Sequence, residues 1–178
     1  MEEKINPWKA NLTSGLILGL ASVIFTLLLW ILDLYFNKGL SYIFILISVF
    51  LIYYFIKSYR DNYLHGRITY GQSLGAGVII SIYYALVTAV FTYILFVYID
   101  PGLVEKSLAK AEEQLIARGG LSEDAIAQAM SMQEKLMSPA IVAPLSILGS
   151  VFFGTLASLL VSIFTRKEGN PLIDSPEN

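Results

Sequence analysis

The chain has 178 residues, one histidine, no cysteine and a formal net charge of −2. Without cysteine there can be no disulfide, thiolate metal site or cysteine nucleophile, and without a basic block there is no footprint for nucleic acid. Hydrophobic residues make up 56% and charged residues 15%, whereas a soluble domain is ordinarily about 25% charged.

Four uncharged windows hold the apolar excess. Ala10–Leu32, Gly39–Ile56, Ile68–Ile99 and Leu136–Thr165 contain no Asp, Glu, Lys, Arg or His. A helix crossing the hydrocarbon needs about 20 mostly apolar residues, so the windows predict four membrane spans near 11–33, 40–57, 72–99 and 140–164. Barrel strands would alternate, and these runs do not. The fold class expected is all-α: an integral membrane four-helix bundle within a single domain, 1–168. An extramembrane amphipathic hairpin over 100–138 separates spans three and four.

The first span is preceded by MEEKINPWK, mixed in charge, and is too long for a signal peptide's apolar region. Trp8 and Trp30 lie 22 residues apart, roughly 33 Å along a helix, which suits the two membrane interfaces. Gly15 and Gly19 in GLILG begin a ridge of small residues that Ser22 and Thr26 continue. The second span, SYIFILISVFLIYYFI, is bulky, offers only Ser48 in its centre, and is expected on the periphery facing lipid.

Within the third span Gly71 and Gly75 are spaced by four, and Gly77, Ser81, Ala85 and Ala89 form a second such row. Lipid supplies no hydrophobic drive between helices, so small residues that let backbones approach mark their contacts. Gln72, at the start of this span, can hydrogen-bond to a neighbouring helix. Tyr83 and Tyr84 lie deeper, where their hydroxyls need partners that the ridge serines could supply.

Asp100 and Pro101 are expected to cap and open the next helix, with Val104, Leu108, Ala111 and Leu115 as its apolar stripe. Gly119 and Gly120 stop it. Ser122 caps a second helix with Glu123 and Asp124 in its first turn and a stripe of Ile126, Ala129, Met130 and Met137. The stripes can meet each other, the membrane surface or a partner. The fourth span, opened by Ser138 and Pro139 and bent near Pro144, carries Ser146, Ser150, Gly154 and Ser158 at every fourth position, and the third or first helix should press there. The helix-packing set is therefore Gly15, Gly19, Gly71, Gly75, Gly77, Ser81, Ser146, Ser150, Gly154 and Ser158. The polar tail, 169–178, should be disordered.

Four spans bring Lys4, Lys9, Lys57, Arg60, Arg67, Arg166 and Lys167 to one side, seven of the twelve basic residues. The positive-inside rule then puts both termini in the cytoplasm. No ionisable group lies in the middle of a span, where transporters usually display them; Asp33 falls at an outer end, facing water. His65 lacks any recognisable nucleophile–base set. No catalytic, metal-binding or cofactor-binding residue is singled out, and no cofactor is expected.

The stretches ITYGQSLGAGVIISIYYAL and YIDPGLVEKSL, with the acidic hairpin and small-residue last span, resemble a four-span bacterial membrane family known as domain of unknown function 4199. The resemblance covers roughly residues 8 to 168, and its most specific pieces are the TYGQ entry and the I-D-P exit of the third span. It implies residence in the bacterial inner (cytoplasmic) membrane and carries no accepted activity. The function expected is that of a non-enzymatic assembly or interaction subunit of the cell envelope, pairing with itself or with another envelope protein. The alternative is a small carrier or lipid-handling subunit acting as an oligomer.

Overall fold

A computed structural model of the chain describes residues 5–168; the tail beyond Glu168 lies outside them. Helices run in the order α1 (Pro7–Ile31), α2 (Lys38–Tyr63), α3 (Tyr70–Ile94, continued as a π-turn over Leu95–Ile99), α4 (Leu103–Arg118), α5 (Glu123–Leu136) and α6 (Pro139–Thr165). Four of them, α1, α2, α3 with its π-turn and α6, are long and apolar enough to cross a membrane. The chain is all-helical, with the apolar helices of a multi-pass membrane protein.

Local chemistry sets the helix starts. Asn6 caps α1, its side chain accepting from Trp8 N at 3.0 Å, with Pro7 in the first turn, where its missing N–H costs nothing. Asn37 does the same for α2, accepting from Leu40 N at 3.2 Å. Between them Asp33 is exposed, at φ 57°. The polar stretch KSYRDNY, expected as connection, continues α2 to Tyr63, so the turn to α3 is only Leu64–Thr69. There His65 and Gly66 take left-handed backbone, at φ 52° and 79°.

The chain gathers into two compact units, Met1–Thr88 with Gly149–Asn178, and Ala89–Leu148. The first holds a core of Leu18, Ile52, Phe55, Ile56, Tyr59, Ile68, Ala76, Ile80 and Val161. Four of these come from α2, which corrects its expected place on the periphery. The half of α2 nearer Lys38 is the more open one, with Leu46 71% and Phe50 65% exposed. The other half is drawn in because Gly77 leaves room: Ile56 Cδ1 lies 3.1 Å from where a β-carbon would stand.

In the second unit α4 and α5 pack on each other, and all eight stripe residues anticipated above are half-buried. Ser122 caps α5, accepting from Ala125 N at 3.3 Å. The other anticipated cap is corrected. Asp100 ends the π-turn, its N–H donating to Leu95 O at 2.8 Å, and its carboxylate pairs with Lys106 at 3.2 Å. Helix α4 starts later, at Leu103, behind Gly102. On its exposed face the Lys110 ammonium, 2.7 Å from Glu113, holds that carboxyl below the usual range.

One buried polar group stands out in α1. Asn11 is fully buried, its Nδ2 donating to Pro7 O at 2.9 Å, while Oδ1 has no partner among the described residues. A buried, unpaired acceptor costs its full desolvation. Asn11→Leu should therefore leave stability unchanged or raise it by about 1 kcal/mol, as measured by unfolding in mixed micelles; a loss of several kcal/mol would mean that the amide has a partner such as water.

Candidate functional site

Two seams organise the first unit. Along α1 and α3, a β-carbon on Gly15 would overlap Tyr83 Cβ and stand 2.9 Å from Ile80 O, and one on Gly19 would stand 2.7 Å from Val87 Cβ. Both contacts keep one register, Gly15 with Tyr83 and Gly19 with Val87. Trp8 meets the Tyr83 ring edge-on, with centroids 6.0 Å apart.

Along α3 and α6 the packing is reciprocal. Ser158 fills the space over Gly77, and Ser81 fills the space over Gly154. Thus GVIIS (77–81) and GTLAS (154–158) interdigitate antiparallel, each glycine receiving the other helix's serine. The hydroxyls bond within their own helices, Ser81 Oγ donating to Gly77 O at 2.8 Å and Ser158 Oγ to Gly154 O at 2.6 Å. Both serine donors are thus spent within their own helices, which corrects the expectation that they serve the Tyr83 and Tyr84 hydroxyls. Hydrogen bonds cross from α3 to α6 nearer the chain ends. Thr165 Oγ1 donates to Val161 O, leaving Ser73 Oγ to donate to Thr165 Oγ1 at 2.6 Å, and Tyr70 Oη donates to Leu159 O at 3.2 Å.

The remaining members of the small-residue set lie elsewhere. Ser146 is half-buried and donates to Ala143 O at 2.7 Å, and Ser150 is half-buried. Gly71 and Gly75 make no helix contact, since a β-carbon on either would meet nothing within 4 Å. The α1–α3 register explains this correction. Carried back two turns from Gly15, it sets Pro7, the first residue of α1, level with Gly75. Beyond that point α1 has no residue to offer, and the seam opens.

The opening is the mouth of a cleft of about 1050 Å³, at the upper end of the range for small-molecule sites. Its deeper lining is apolar, with Ile68, Ala76, Ile79 and Tyr59 all buried. Its mouth carries His65, Arg67, Thr69, Gln72, Lys167 and Glu168, with Tyr63 beside them. A two-bond bridge fixes the rim: Ile68 N donates to Lys167 O at 3.0 Å, and Lys167 N to Ile68 O at 2.9 Å. Arg60 Nη1 ties the last turn of α6 to α2 through Thr165 O at 3.2 Å. Among the described residues no group of three His, Asp or Glu side chains is gathered to hold a metal ion.

A family model described as protein of unknown function (DUF4199) matches residues 13–167. The chain belongs to this family. No curated protein and no solved structure matches it.

In this DUF4199 protein the TYGQ stretch has a structural meaning. Thr69 Oγ1 accepts from Gln72 N at 3.2 Å, and Gln72 Oε1 accepts from Thr69 N at 3.0 Å, a reciprocal capping box that starts α3. Gln72 therefore serves its own helix rather than a neighbouring one. The spacing of threonine and glutamine signals this cap in the bare sequence. No comparable signal announces the cleft, whose walls come from four separated stretches.

Proposed function

We propose that this DUF4199 protein is a non-enzymatic, multi-pass protein of the bacterial inner membrane, with both termini cytoplasmic, that binds an amphiphile as a lipid-handling subunit. The observation that carries the reading is the cleft. It has an apolar interior, a polar mouth and a volume suited to a lipid headgroup with the start of its chains. The bias of basic residues toward Lys57, Arg60, Arg67, Arg166 and Lys167 supports the orientation. Gly75 is the natural test position, because a larger side chain there enters the cleft without striking the packed seams.

Native mass spectrometry from mild detergent should find about one retained lipid per chain, lost in Gly75→Leu while the unfolding midpoint stays put. A lipid-free wild type, or unchanged retention in Gly75→Leu, would refute the reading. A cysteine placed at Ser122 in this cysteine-free chain should be labelled only from outside the cytoplasm.

A second reading, an assembly subunit of the envelope, draws on the hairpin. Although α4 and α5 pack together, Ile116 is 60% and Met132 67% exposed, with Leu121 and Leu136 also open. Such positions suit a protein partner or a second copy. Crosslinking from the Ser122 cysteine to a stoichiometric partner would support it.

A further inference from the structure

Resting on the amphiphile reading, we infer that the cleft selects an uncharged glycerolipid, a diacylglycerol. Its ester and hydroxyl oxygens accept from Gln72 and Thr69 at the mouth, while its chains lie along Ile68, Ala76 and Ile79. The capping box that starts α3 leaves two groups with donors to spare. Gln72 Oε1 is taken by Thr69 N, which fixes the orientation of the amide and leaves both protons of Nε2 without an acceptor among the described residues. Thr69 Oγ1 accepts from Gln72 N, so its own proton is likewise unspent. Both residues are exposed and line the cleft. Because each side chain of the box is held by the other residue's backbone, these donors are positioned before anything binds.

Charge gives no reason for an ionic headgroup. Arg67 already has a partner, and Lys167 is followed in the lining by Glu168, of opposite sign. The seven basic residues on this side of the spans stand against six acidic ones, Glu2, Glu3, Asp61, Glu168, Asp174 and Glu177. A phosphate would give up its hydration for a balanced field, whereas ester oxygens give up little and need only donors.

The placing of the acceptors decides the class. A diacylglycerol keeps its oxygens together at one end, as the donors are. An isoprenoid quinone, also uncharged, carries its carbonyls on opposite sides of a ring and would turn one toward the apolar floor. Gln72 and Ile79 are seven residues apart on α3, about 10 Å, so the acyl chains begin against the buried side chains of Ile68, Ala76 and Ile79.

Purified protein would be mixed with dioleoylglycerol, with phosphatidylglycerol and phosphatidylcholine of the same chains, and with a ubiquinone, and binding would be read by native mass spectrometry. Dioleoylglycerol should be preferred over each of the others by about fivefold or more. Gln72→Glu keeps the box, since its carboxylate still accepts from Thr69 N, but removes the amide protons. It should weaken dioleoylglycerol binding about two- to tenfold while the unfolding midpoint holds. Lys57→Gln, outside the cleft, should change neither.

Phospholipid bound as well as dioleoylglycerol, with both lost in Gly75→Leu, would overturn the uncharged headgroup and leave the amphiphile reading standing. Tighter binding of the quinone would overturn the glycerol backbone. Undiminished dioleoylglycerol binding in Gln72→Glu would overturn the donor assignment. The order of preference in the unaltered protein decides the headgroup class without any variant, and absence of all lipid binding would remove both inferences.

Discussion

Gly154→Ala is expected to destabilise the protein by about 1–3 kcal/mol, and adding Ser81→Gly should recover most of that loss. The β-carbon of the alanine would stand 2.5 Å from Ser81 Cβ, and Ser81 cannot retreat because its hydroxyl is bound to Gly77 O. Taking away the serine side chain reopens the space. The mirror pair, Gly77→Ala with Ser158→Gly, should behave alike, since there the β-carbons would approach to 2.6 Å. Contacting residues couple by about 0.5–3 kcal/mol in double-mutant cycles; strictly additive losses in mixed-micelle unfolding would show that the two pentads do not interlock.

Gly15→Val should cost still more, about 3 kcal/mol, at the upper end of ordinary overpacking. Its β-carbon would run into Tyr83 Cβ and approach a backbone oxygen, Ile80 O, to 2.9 Å. A carbonyl inside a helix cannot swing aside as a side-chain tip can. Gly71→Val makes the control, with open space at the same position and an expected change within about 0.5 kcal/mol. Similar losses at Gly15 and Gly71, again in mixed micelles, would contradict the register that places the opening of the seam at Pro7.

The contrast between those glycines shows what the sequence could reveal. Four long uncharged windows specify four helices, because length and hydropathy alone decide that a segment can cross the hydrocarbon. Spacing by four singles out Gly15, Gly19, Gly77 and Gly154, which meet another helix, but equally Gly71 and Gly75, which do not. Periodicity gives the face of a helix and says nothing of where its neighbour begins. The inward half of α2 was hidden for a related reason. Bulky Ile52 and Ile56 look lipid-facing until Gly77, on another helix, is known to make room for them. The cleft needs Pro7, Tyr59, Ile68, Gln72 and Lys167 together, and only the tertiary structure supplies that adjacency.

The division of labour along α3 and α6 has a mechanical consequence. Directional bonds between the two helices, from Ser73 and Tyr70, fasten them near the cleft, whereas around Gly77 and Gly154 they are held by shape alone. The pair is riveted at one end and merely meshed farther along. A small sliding or tilting of α6 on α3 would cost contact but no bond in the meshed stretch, so the rivets act as the pivot and the walls of the cleft are its least yielding part.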